Sequence, residues 1–142
     1  MADDASARPI LVGVDGSPSS LDALRKAAEF AELLKAPLEV ATAWQYPVGF
    51  AGAIPPPSWS PEADAEAIQK EALQAVFPDG PPEGTTTTIA AGPAAGVLID
   101  KSKDASMLVL GSRGRGGFVG MLLGSVSAAC AEHAHCPVLI LH

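Results

Sequence analysis

The run from Met107 to Ser127, MLVLGSRGRGGFVGMLLGSVS, does more than any other to narrow what this chain can fold into. It begins as a short apolar stretch, Met107 to Leu110, closed by Gly111, which reads as a buried strand leaving a sheet. Glycines at 111, 114, 116, 117 and 120 follow, with Arg113 and Arg115 among them. Gly124 and Ser125 then open an Ala-rich segment, Val126 to Ala134, of helical character. Strand, glycine-rich loop and helix N-terminus, in that order, build an anion site. Glycine lets backbone come close to a ligand. The unpaired N–H groups of a helix start, aided by the helix dipole, point at negative charge. Phosphate is the expected guest.

The rest of the chain alternates in the same way. Pro9 to Asp15 is a nearly continuous apolar run ending in a carboxylate and a Gly-Ser turn, as a buried parallel strand does. Ser17 can cap the next helix with Pro18 at its first position, where a missing N–H costs nothing. Leu21, Leu24, Ala28 and Ala31 fall on one helical face, and Ala36-Pro37 stops that helix. Leu38 to Trp44 is a second strand. Gln45 to Ser60 is irregular, with prolines at 47, 55, 56 and 57, and a connection this long suggests function or mobility. Ser60 and Pro61 repeat the start signal, and Ala65, Ile68, Ala72 and Val76 give helical spacing up to Phe77. Thr85 to Ala91 is β-branched and polar, so a strand near the sheet edge. Gly92-Pro93 starts a helix with Ala94, Val97 and Leu98 inward, ending near Asp104. The glycine loop and its helix come next, and Val138 to Leu141 makes a last strand after Cys136-Pro137.

Strands alternating with helices demand a parallel sheet covered on both faces and joined by right-handed crossovers. The expected class is therefore α/β: one domain over 1–142, an open five-stranded doubly wound sheet, with 1–8 as a flexible tail. In such sheets ligands bind beyond the carboxyl ends of the strands. Asp15, Ala43 and Gly111 all lie at carboxyl ends and can converge on one crevice, although sequence alone leaves open which strands are neighbours.

Two familiar phosphate loops do not fit. A Walker loop needs Gly, four residues, then Gly-Lys-Ser/Thr, and Gly111 is followed at that spacing by Gly116-Gly117 with no lysine in the loop. In the dinucleotide pattern Gly-x-Gly-x-x-Gly, counted from Gly114 and Gly116, the third glycine position is Val119. What is present is Gly111, two residues, Gly114, nine residues, Gly124, then Ser125. With ILVGVDGS at the start, PLEVATAW closing strand two and CPVLIL at the end, the chain resembles the ATP-binding subgroup of the universal stress protein family.

The resemblance implies strand order 3-2-1-4-5 and a nucleotide site. Val14 and Asp15 would line the adenine and ribose pocket, and Ala43 would meet the adenine edge through its main chain. Gly111, Arg113, Gly114, Gly124, Ser125 and Val126 would hold ribose and phosphates, with Ser127 beside them. ATP is the implied ligand, AMP or ADP being open alternatives, and Mg2+ would arrive with ATP. It also implies a homodimer paired through the last strand, a nucleotide-dependent regulator of the stress response with unidentified protein partners. The alternative from another class is a slow ATPase or phosphotransferase in the same pocket. Hydrolysis needs a base and a metal clamp, and the loop offers no carboxylate, so binding is expected and no catalytic residues are assigned.

Composition sets the outer limits. A net charge of −7 argues against general affinity for nucleic acid or anionic membrane, which makes Arg113 local to the site and leaves Arg115 as a solvated loop charge. No run is long and apolar enough to span a bilayer, MADDASAR is no signal peptide, and two cysteines fit a reducing compartment; the expected location is cytoplasmic. Cys130, His133, His135 and Cys136 lie close in sequence, but the last two fall past the helix end, and no metal site is assigned. Asp15-Gly16-Ser17 lacks the Gly-x-Ser-x-Gly frame of a nucleophile elbow.

Overall fold

The computed structural model describes residues 7–46, 59–113 and 123–142. Nine elements alternate along them: β1 (Ile10–Gly13), α1 (Pro18–Leu34), β2 (Leu38–Trp44), α2 (Pro61–Val76), β3 (Thr86–Ala91), α3 (Ala94–Ser102), β4 (Met107–Gly111), α4 (Ser125–His133) and β5 (Val138–Leu141). The strands form one parallel sheet in the order β3-β2-β1-β4-β5. This is the expected α/β fold with the expected order.

Period two divides each apolar strand between two cores. Ile10, Val12 and Val14 pack with Leu24 and Ala27 of α1 and Ala72 of α2, whereas Leu11 packs with Leu108, Leu110, Leu98 of α3 and Cys130 of α4. The continuous runs that read as buried strands are continuous because both sheet faces are covered. Thr-rich β3 and apolar β5 occupy the two edges.

Local chemistry starts α1 and α2 as expected. The Ser17 hydroxyl accepts the Ser20 N–H at 3.2 Å with Pro18 in the first turn, and the Ser60 hydroxyl accepts the Ala63 N–H at 3.1 Å before Pro61. Lys35, at φ 55°, ends α1 in the left-handed conformation with its N–H on Ala31 and Glu32 carbonyls.

Packing turns two helices away from the simplest reading. In α1 the fully buried positions are Ser20, Ala23, Leu24, Ala27 and Ala31, with Leu21 and Ala28 only partly covered. In α2 a polar residue holds an inward position: buried Gln69 donates through Nε2 to the Val40 carbonyl, the Thr42 hydroxyl and the Thr88 carbonyl at 3.0–3.2 Å. It ties α2 to β2 and β3. On the opposite face Lys101 of α3 meets Glu39 of β2 at 2.7 Å, and Thr88 donates to the same carboxylate oxygen.

The 45–60 connection lies mostly outside the described residues. Its two ends meet through aromatic side chains, Trp44 on Tyr46 and Tyr46 on Trp59, edge to face at 6.0 and 5.7 Å. Of the expected tail, Arg8 is bonded, its carbonyl accepting from Ser106 and its guanidinium reaching the Lys103 carbonyl. Among the described residues no helix is long and apolar enough to cross a membrane.

Candidate functional site

β2 outruns its neighbour. Its last register partner on β1 is Gly13 opposite Ala41, where the Val14 N–H donates to the Ala41 carbonyl at 3.0 Å, while its pairing with β3 continues to Trp44. In a parallel sheet both backbone groups of a residue face the same neighbour, and that neighbour alternates along the strand. Ala41 faces β1, so Ala43 does too, past the point where β1 has ended. The main-chain edge of Ala43 therefore looks into open space between β2 and the β1–α1 turn.

That space is a crevice at the carboxyl ends of β1, β2 and β4, where the chain leaves β1 for one side of the sheet and enters β4 from the other. Val14, Asp15, Ala43, Gly111, Arg113, Val126 and Ser127 all line it. These expected residues come from β2, β4, α4 and the connections after β1 and β4, far apart in sequence. Gly124 and Ser125 stand at the start of α4 but not on the lining, and Gly114 lies outside the described residues.

Asp15 is held from three directions. Gly16 takes φ 86°, a turn that favours glycine. Asp15 Oδ1 accepts the Ser17 N–H at 2.9 Å, and the Asp15 N–H donates to the Ser20 hydroxyl at 3.3 Å. The Ser20 hydroxyl in turn donates to the Ser17 carbonyl at 2.9 Å. The carboxylate is thereby fixed at the rim by the same turn that starts α1.

Across the crevice α4 begins without a side-chain cap. Its N-cap is Gly124, at φ −70° and ψ 166°, which makes no side-chain cap hydrogen bond. The Gly124 N–H donates to the Ser112 carbonyl at 2.6 Å, and the Ser112 N–H to the Leu141 carbonyl at 2.8 Å, so the loop end is anchored to β5. The Ser127 hydroxyl donates to the Gly111 carbonyl at 2.6 Å, which clips α4 to the end of β4. Because Val126 and Ser127 reach the lining, the positive end of α4 opens on the crevice, with Arg113 on the same lining.

Three apolar residues of α3 complete the wall: Ala94, Val97 and Leu98. The sequence reading placed them in the core only. Their signal was position, since Ala94 follows Gly92-Pro93 at the carboxyl end of β3, and strand ends are where such sheets bind. Ser17 and Ser20, on the lining beside Asp15, were seen only as helix-start residues.

Among the described residues no three His, Cys, Asp or Glu side chains are grouped to hold a metal ion. Cys130 is fully buried in the α3–α4 core, where burial, and then the nearby Cys136, pushes its thiol up to about 11. Burial also raises the Cys136 thiol. His133 is exposed, with Nε2 3.5 Å from Glu132.

Residues 6–142 match the family described as universal stress protein. This chain belongs to the universal stress protein family. Universal stress protein Rv2623 of Mycobacterium tuberculosis is 39% identical over 158 aligned residues, covering all of this chain and 50% of that protein. A universal stress protein of Mycolicibacterium smegmatis is 35% identical over 136 residues, covering 94% of this chain and 45% of its own length. The chain thus spans about half the length of the curated relatives it matches. Among solved structures, a universal stress protein in complex with cAMP superposes with a TM-score of 0.72 at 28% identity, covering 96% of this chain and 98% of that one. UspA from Lactobacillus plantarum shares the fold, with a TM-score of 0.72 at 21% identity, covering 96% and 99%. In this universal stress protein Gly111, the first glycine of that spacing, lines the crevice, and Gly124, the last, stands at the start of α4.

Proposed function

We propose that this universal stress protein binds an adenine nucleotide in the crevice, with ATP as its ligand, and acts as a nucleotide-dependent regulator of the stress response. The observation that carries the reading is the uncapped start of α4 opening on the same crevice as Asp15 and the main-chain edge of Ala43. Base and sugar recognition would sit at Ala43 and Asp15, walled by Ala94, Val97 and Leu98. A main-chain N–H and C=O side by side suit the alternating acceptor and donor of an adenine edge, and a fixed carboxylate suits sugar hydroxyls. The N–H groups of Ser125, Val126 and Ser127, with Arg113, would hold the phosphates. The similarity to a protein solved with cAMP supports an adenine nucleotide as the class of ligand.

Binding is favoured over catalysis. Among the described residues Asp15 is the one carboxylate on the lining, and its Oδ1 already accepts the Ser17 N–H. A water-activating base for phosphoryl transfer needs an available acceptor in line with the γ-phosphate. The same reading puts the protein in the cytoplasm, where its thiols stay reduced.

Calorimetry with adenosine, AMP and ATP tests this. The parent should bind all three, ATP most tightly. Ser125→Pro removes one N–H at the first position of α4, where proline is compatible with the helix and with the extended Gly124 before it. It should lower ATP affinity by about tenfold and spare adenosine. A parent that binds no adenine nucleotide at millimolar concentration would end the proposal.

A further inference from the structure

We propose that Gly111 is a positioning residue, glycine because the first turn of α1 must lie against the end of β4 to carry Asp15 to the crevice. The proposal rests on that crevice being the nucleotide site. In the glycine spacing Gly111 looks like part of the phosphate loop, and its neighbours suggest another reason for it. A Cβ built on Gly111 would fall 2.7 Å from both the carbonyl carbon and the carbonyl oxygen of Ser19, and against the Ser19 hydroxyl as well. A hydroxyl can rotate away. Main-chain atoms in the first turn of a helix cannot. Gly111 is not among the glycines with positive φ, so backbone freedom is not what the position requires. What it requires is the absence of a side chain between a strand and a helix in contact.

Ser19 stands in the turn that orients Asp15. The next residue, Ser20, holds the Asp15 N–H through its hydroxyl and bonds back to the Ser17 carbonyl, while the Ser17 N–H holds the Asp15 carboxylate. Pushing Ser19 outward by the missing contact distance would drag Ser20 and Ser17 with it, and Asp15 with them. On its other side Gly111 offers its carbonyl to Ser127 of α4. One residue at the end of β4 therefore sets the separation between the carboxylate side of the crevice and the helix-start side.

The two roles make opposite demands on a ligand without phosphate. A glycine that met phosphate alone would matter to ATP and not to adenosine, whereas a glycine that places Asp15 matters to adenosine as well. Calorimetry on Gly111→Ala should show adenosine affinity down by about fivefold or more, and a smaller loss would overturn the proposal. Adding Ser19→Ala should not restore it, because the clash with the Ser19 main chain remains; full restoration by that double variant would also overturn it. If Gly111→Ala does not fold, Ser20→Ala decides, leaving Gly111 intact and removing the hydroxyl that holds Asp15: the same adenosine loss supports the proposal and an unchanged affinity refutes it. Hydrogen exchange without ligand keeps the test separate from the nucleotide reading. Amides 15–20 should exchange faster in Gly111→Ala than in the parent, or in Ser20→Ala should that variant be needed, even if the parent bound no nucleotide at all, and unchanged exchange would sink the idea.

Discussion

Asp15 shows how little of a residue's role is its own. Gly16, whose positive φ turns the chain, and two serines that also start α1 fix it, the Ser17 N–H donating to its carboxylate and the Ser20 hydroxyl accepting its main-chain N–H. Cys130 is the opposite case, a titratable group kept silent by its surroundings. Fully buried, it holds its proton up to about 11, whereas an unfolded thiol ionises near its ordinary value of 9.0. The folded pKa is the raised one, so this contribution to stability is complete below the unfolded value and is lost as pH climbs through the folded value. Urea unfolding between about pH 8 and about pH 10.5 should show the parent losing on the order of 2 kcal/mol from this group. Cys130→Ala, less stable at the lower pH because of its cavity, should decline less steeply. It should not decline to zero slope, since the Cys136 thiol is raised too. Equal slopes for the two proteins would refute the assignment.

At the scale of elements, α4 gives up a stabilising feature that α1 and α2 both have. Each of those helices begins with a serine whose hydroxyl caps the first turn, and α4 begins with Gly124 and no side-chain cap. The φ of −70° at Gly124 is open to any residue, so local conformation does not demand the glycine. An uncapped start leaves N–H groups for a ligand. Gly124→Asp supplies the missing cap and a competing negative charge. Thermal unfolding should show stability unchanged or raised by a few tenths of a kcal/mol. ATP affinity should fall by more than about tenfold, with adenosine spared. Should the variant bind ATP like the parent, the start of α4 is not where the phosphates go.

The whole molecule has two sheet edges of different character. β3 is Thr-rich, and β5 is VLIL with every residue only partly covered by the chain itself. An apolar edge strand is a template for pairing with another chain. A homodimer through 137–142 would cover it, and light scattering at tens of micromolar should give the dimer mass. Ile140→Lys should shift the protein to monomer, and a monomeric parent or an unaffected variant would refute the pairing. Because the Leu141 carbonyl also holds Ser112, and Ser112 holds Gly124, β5 is tied to the start of α4. A dimer paired through β5 would therefore meet the crevice at that strand.

Much of this was legible in the chain. Apolar runs of strand length, Ser-Pro helix starts and the glycine spacing are local signals, and local steric and hydrogen-bonding rules turn them into elements in the right order. The same order marked Asp15, Ala43, Gly111 and the start of α4 as strand-end and helix-start positions. Sequence could not show that Gln69 faces inward, because a glutamine at a core position is sensible only once the Val40 and Thr88 carbonyls and the Thr42 hydroxyl stand above it. Nor could it show Ala94 and Val97 as crevice wall, or the reason for glycine at 111. Both depend on distances between segments far apart in the chain, α3 from β1 and Ser19 from β4. Elements follow from rules that act over a few residues, so the sequence alone determined them. Which surfaces meet follows from close packing over the whole sheet, and only the tertiary structure decided that.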